Sequence, residues 1–191
     1  MQVRELTVKT DYWEDRANKI LSHFNYKSPD EIDLYDICWK YGIKIKPLDK
    51  DFYDGEIQDG LKAIAFPSDK GRRGVIYLVP GLDAVEKKLI LAEEFCHIYA
   101  HHISQVGASK TLIAKTESQA KRMSAYLLMP ERFLKNVYAA AVDQAVMVSE
   151  IADYFVVSEE FALYRLEIIY NRRVDGFGML KGKLGSLEWF D

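Results

Sequence analysis

ILAEEFCHIYAHH, residues 90–102, carries three of the four histidines of this 191-residue chain directly behind two adjacent glutamates. Around and through it, Val85, Leu89, Ala92, Cys96, Tyr99 and Ile103 recur at steps of three and four. That spacing predicts a helix over 83–103 with one buried face. On a helix, residues i and i+4 stand one above the other. Glu93 and His97 therefore share a face and can aim a carboxylate and an imidazole at one point, with Glu94 beside the first. Both groups are ordinary ligands of a divalent metal ion, at similar bond lengths. Two histidines at this spacing, with a glutamate after the first, make the HExxH pattern, in which the glutamate is angled toward the water on the ion. Here the first ligand position is Glu93 and the base position is Glu94. A catalytic zinc has three protein ligands and one open site, so a third ligand has to come from elsewhere.

The next helical pattern offers one. Ala120, Met123, Ser124 and Leu127 mark the buried face of a helix at about 117–128. Glu117 lies at the N-terminal end of that face. If the two helices pack together, Glu117 can point at Glu93 and His97.

Working outward, residues 11–24 place Trp13, Ala17, Ile20, Leu21 and Phe24 at helical spacing. Ser28-Pro29-Asp30-Glu31 reads as a capped helix start, running to Tyr41 and stopping at Gly42. Ile43, Ile45 and Leu48 alternate with lysines and a proline, as in a short strand. Residues 61–67 and 75–80 are two further strand candidates, with SDKGRRG as the turn between them. After the histidine helix, SQVGASKTLIAK reads as a linker. Pro130 starts another helix, and residues 149–169 read as two helices joined by a tight turn, capped by Ser149 and Ser158. The tail from Arg172 is dotted with glycine but ends in Leu187, Trp189 and Phe190. Helices, a small sheet and more helices make an α+β arrangement. The expected division is a core over 1–130, a C-terminal helical segment over 131–170 and a tail over 171–191.

Bulk composition narrows the function. An apolar fraction of 49% supports a globular core, and a net charge of −3 speaks against a general nucleic-acid binder. The two cysteines, Cys38 and Cys96, are far apart and form no CxxC, which suits free thiols in a reducing cytoplasm. The N-terminus lacks the apolar core of a signal peptide, and no run approaches the roughly 20 apolar residues of a membrane helix. A soluble cytoplasmic protein is the expectation.

Taken in order, WKYGIKI, VIYLVP, ILAEEFCHIYAHH, ESQAKRMSAYLLMP and SEIADYFVVSEEFALYRL resemble the ImmA/IrrE metallopeptidases over about residues 15–170. The most specific element is the ordered pair of an EExxH-type helix and an ExxAxxxxAxxLLMP helix. The resemblance implies a mostly helical zincin-like metallopeptidase fold with a small β-sheet. It implies His97 and Glu117 as metal ligands and Glu94 as general base, and it matches His102 to a histidine common after the motif. It also implies a protein substrate: a helix-turn-helix repressor or similar regulator of a phage or mobile element. The departure is Glu93, which stands where the family has histidine.

A glutamate can ligate zinc from that position, but it adds negative charge. The ion would be a weaker Lewis acid, and oxygen-rich ligation moves preference from zinc toward manganese. One reading is therefore a divalent-metal endopeptidase using Glu93, His97 and Glu117 as ligands. The other is a weakened or inactive relative that binds a regulatory protein. His101, four residues after His97, can replace a ligand or face water beside His102. Cys96 and Tyr99 fit the buried stripe. The two-helix segment is a poor DNA reader: its second helix opens with Glu159 and Glu160 and has Arg165 as its basic residue, whereas DNA affinity rests on phosphate contacts. Direct nucleic-acid binding is not expected.

Overall fold

The periodic segments form seven α-helices and six short strands among the described residues, which in this computed structural model are 11–48, 60–69, 71–101 and 110–188. In chain order these are α1 (Tyr12–Leu21), α2 (Leu34–Lys40), β1 (Ile43–Pro47), β2 (Ala63–Pro67), β3 (Gly74–Leu78), α3 (Ala84–His101), α4 (Lys110–Leu128), α5 (Glu131–Ala140), β4 (Val146–Met147), α6 (Val148–Phe155), α7 (Glu159–Tyr170), β5 (Gly176–Leu180) and β6 (Lys183–Leu187). The fold is mostly helical α+β. His102, Ile103, Trp189 and Phe190 lie outside the described residues. The chain divides into two units, Asp33–Ser124 on one side and Met1–Ile32 with Ala125–Asp191 on the other.

In the unit Asp33–Ser124, a three-stranded sheet has the order β1-β3-β2, parallel between β1 and β3 and antiparallel between β2 and β3. Gly42 turns the chain from α2 into β1 with φ of +69°, a conformation a side chain resists. The helix leading to it is shorter than the 28–41 expected. Pro29–Glu31 is a separate 3₁₀ turn, Ile32 is extended and buried, and α2 begins after Asp33, whose carboxylate accepts the Tyr35 amide at 2.7 Å. Burying Ile32 requires the break. Ser28 makes no side-chain cap, and the Glu31 carboxylate accepts the Lys27 amide instead. Gly74 has a different role: a Cβ there would meet Phe66 O at 2.5 Å and Ile98 Cδ1 at 2.9 Å. Its bare backbone lets α3 approach the sheet, with Leu91, Ala92, Phe95, Cys96, Ile98 and Tyr99 fully buried along the helix.

α4 starts at Lys110, seven residues before the predicted helix, so half of the expected linker is helical. Ala120, Met123, Ser124 and Leu127 are all buried.

In the other unit, Asp11 caps α1 through hydrogen bonds from the Trp13 and Glu14 amides, and Ser158 caps α7 through the Phe161 amide. α6 starts at Val148 rather than after Ser149, because β4 pairs with β5 and runs straight into it, and the Glu150 carboxylate accepts the Met147 amide at 2.8 Å. The glycine-dotted segment after Arg172 is a hairpin, β5–β6, which completes a second antiparallel sheet of order β4-β5-β6. Its two-residue turn, Lys181-Gly182, has positive φ at both positions, the twist that matches a tight hairpin. Arg165 is fully buried. Its Nε donates to Met129 O at 3.0 Å, and its guanidinium lies 4.4 Å from the Tyr126 ring centre and 3.8 Å from a Glu14 oxygen.

Candidate metal centre

α3 carries three of the site's side chains on one stretch. Its buried residues hold the helix against β2 and β3, which leaves Glu93, Glu94 and His97 half-buried beside the sheet. α4 supplies the fourth, because burial of Ala120, Met123 and Ser124 sets the rotation of the helix and so the direction of Glu117. His97 Nε2 and Glu117 Oε2 are 3.3 Å apart. One ligand atom from each of Glu93, His97 and Glu117 lies within 4.8 Å of the others. Ligands about 2.1 Å from a common ion in tetrahedral arrangement sit about 3.4 Å apart. The His97–Glu117 separation already meets that value, and a small side-chain adjustment brings Glu93 in. The geometry and the donor set, two carboxylates and an imidazole, thus fit a divalent ion.

Electrostatics points the same way. Burial raises the Glu93 pKa, the facing Glu117 carboxylate raises it further, and Lys121 opposes both. Burial holds the His97 imidazolium down, with Glu117 partly offsetting it, so a neutral imidazole with a lone pair is favoured. Two crowded carboxylates and a neutral histidine are groups whose repulsion a cation relieves. The side chain of His97 is 11% exposed and that of Glu117 46%, so the cluster opens to solvent on the α4 side.

Glu94 sits differently. Burial, then the charges of Glu93 and Glu117, push its carboxyl up to about 7, against a hydrogen bond from the Ala65 backbone amide that lowers it. The origin of that donor is strand geometry. The Ser68 amide donates to Arg73 O and the Val79 amide to Lys62 O, so the even-numbered residues of this stretch pair with β3. The odd ones, Ala65 included, turn their backbone groups to the other edge of β2, which pairs with no strand among the described residues. Edge strand β2 thus holds Glu94 while α3 aims it.

The structure brings together all four residues singled out from the sequence. The side chain of His101 and all of His102 lie outside what it describes. Cys96 and Tyr99 are buried, and the Tyr41 and Phe95 rings and the Arg72 guanidinium surround Tyr99. Two participants were missed. Lys121 stands one helical turn beyond Glu117, a spacing legible from the sequence. The Ala65 amide has no sequence signal, because which strand amides stay unpaired depends on sheet order. Arg165 is buried and so cannot meet a phosphate backbone, while Glu159 and Glu160 are exposed. No described helix is long and apolar enough to cross a membrane.

The IrrE N-terminal-like domain of the Peptidase_M78 family matches residues 39–167, a span from the end of α2 into α7 that includes all four site residues. No curated protein matches the chain.

Proposed function

Because this chain belongs to the Peptidase_M78 family, of the IrrE N-terminal-like type, a metallopeptidase family acting on proteins, we propose that it is a divalent-metal-dependent endopeptidase with Glu93, His97 and Glu117 as ligands and Glu94 as general base. The observation that carries the reading is the convergence of three donor atoms from two helices within 4.8 Å, with the half-buried Glu94 carboxyl adjacent on α3. When bound, the ion would supply Lewis acidity to a water and to the scissile carbonyl. Glu94 takes the proton of that water as its oxygen attacks the carbonyl carbon, then returns it to the departing amine. The Ala65 amide keeps the Glu94 carboxylate oriented throughout. Zinc is the expected metal. The second carboxylate, Glu93, makes manganese the alternative.

The proposed substrate is a regulatory protein, a helix-turn-helix repressor or similar regulator of a phage or mobile element. The proposed setting is the cytoplasm, which suits two buried free thiols, Cys38 and Cys96. Glu93 also supports a second reading, a catalytically weakened relative that docks to such a regulator without cutting it. Metal analysis of protein purified without chelator separates the two. The peptidase reading expects one ion per chain, lost in His97→Ala and Glu117→Ala, and turnover that rises in Glu93→His. Folded wild-type protein that binds neither Zn²⁺ nor Mn²⁺ selects the second.

A further inference from the structure

We propose that Lys121 is a positioning residue for charge: its ammonium offsets the extra carboxylate that Glu93 brings to the metal centre. The inference rests on the metallopeptidase reading above. Lys121 follows Glu117 by four residues on α4, so the two side chains share a face one helical turn apart. Glu117 and Glu93 offer ligand atoms within 4.8 Å of each other. Lys121 is half-buried at this face, one turn from a carboxylate that itself lies beside Glu93. Glu117 and Glu93 sit within one cluster, so a cation one turn from Glu117 stands beside a locally acidic group of side chains.

The charge count explains why one is needed. A divalent ion with one carboxylate and two neutral imidazoles carries a net charge of about +1, which keeps the site electrophilic. With Glu93 and Glu117 both ionised the sum falls to zero. Lys121 returns the local total to about +1 without occupying a ligand position. It does so at the expense of affinity, because an ammonium repels the ion that it helps to activate.

That trade gives a readout independent of turnover. A unit charge on the order of 8 Å from a divalent ion changes affinity on the order of tenfold even at the dielectric of bulk water, and by more nearer the protein surface. The test is calorimetric titration of Mn²⁺ into chelator-stripped protein at pH 8, with Zn²⁺ measured by competition against a chromophoric chelator. Lys121→Met should bind Mn²⁺ roughly tenfold tighter than wild type, and Lys121→Arg should bind like wild type. Glu93→Gln should bind more weakly, and Lys121→Met in the same chain should bring its affinity back toward wild type. General damage to the site does not tighten binding, so the direction of change separates charge from structure. Unchanged or weakened binding in folded Lys121→Met overturns the inference and leaves the metallopeptidase reading standing. A wild-type protein that binds neither metal overturns that reading, and this inference with it.

Discussion

Replacing Glu94 by glutamine in the metal-free protein separates what this residue costs the fold from what it gives the reaction. Burial and two neighbouring carboxylates raise its pKa from 4.5 to about 7. A carboxyl whose folded-state pKa lies above its unfolded value contributes its full stability below the unfolded pKa and loses it as pH rises through the folded one. Metal-free wild type should therefore lose stability between about pH 4.5 and 8. The shift corresponds to on the order of 3 kcal/mol at the alkaline end. Glutamine keeps the shape and can still accept the Ala65 amide, but it never ionises. Glu94→Gln should thus be flat over that window from this source and stand above wild type by up to that amount at pH 8. Urea unfolding of chelator-treated proteins at pH 5 and pH 8, followed by circular dichroism, measures the difference. The same variant, loaded with metal, should lose turnover by roughly 10²–10⁴-fold, the usual contribution of a general base. If wild type and variant lose stability in parallel from pH 5 to 8, the crowding assigned to Glu94 is wrong. If the variant cleaves as fast as wild type, the assigned base is wrong.

Other expectations address the scaffold. Gly74→Ala drives a methyl against Phe66 O and the Ile98 side chain, and should cost about 2 kcal/mol in urea unfolding, as overpacking does. It should also weaken metal binding, because α3 must move away from the sheet. Val156 caps α6 with φ of 53°, a left-handed conformation that a β-branched residue adopts at a cost. Val156→Gly should raise stability by about 1 kcal/mol, read as a higher melting temperature. Arg165→Ala strands the buried Glu14 carboxyl and opens a cavity at Met129 and Tyr126, so it should cost about 3 kcal/mol. Arg165→Met, which keeps most of the volume, should cost clearly less in the same unfolding assay.

Helical periodicity made most of the long elements legible. The stripe around Cys96 located α3, and Ala120, Met123, Ser124 and Leu127 located the second half of α4. Ser158 marked the start of α7, and Gly42 marked the end of α2. Misreadings fell where a tertiary demand overrode a local signal. Ser28-Pro29-Asp30-Glu31 has the letters of a helix start, yet burial of Ile32 breaks the helix and hands the cap to Asp33. Ser149 has the letters of a cap, yet pairing of β4 with β5 starts α6 earlier. The hairpin after Arg172 was obscured by its glycines, although Lys181-Gly182 is a turn signal that could have revealed it.

The candidate site divides along the same line. The spacing of Glu93, Glu94 and His97 follows from the pitch of one helix, so their grouping on α3 could be read directly from the order of residues. Nothing local links them to Glu117, twenty or more residues away. That meeting depends on how buried faces turn α3 and α4, and on a glycine in β3 that admits α3 to the sheet. The Ala65 amide reaches Glu94 because β2 lies at the edge of its sheet, and sheet order is a property of the folded chain. Periodicity along a segment is a short-range property that sequence carries, whereas distances between segments are set by packing and exist only once the chain has folded.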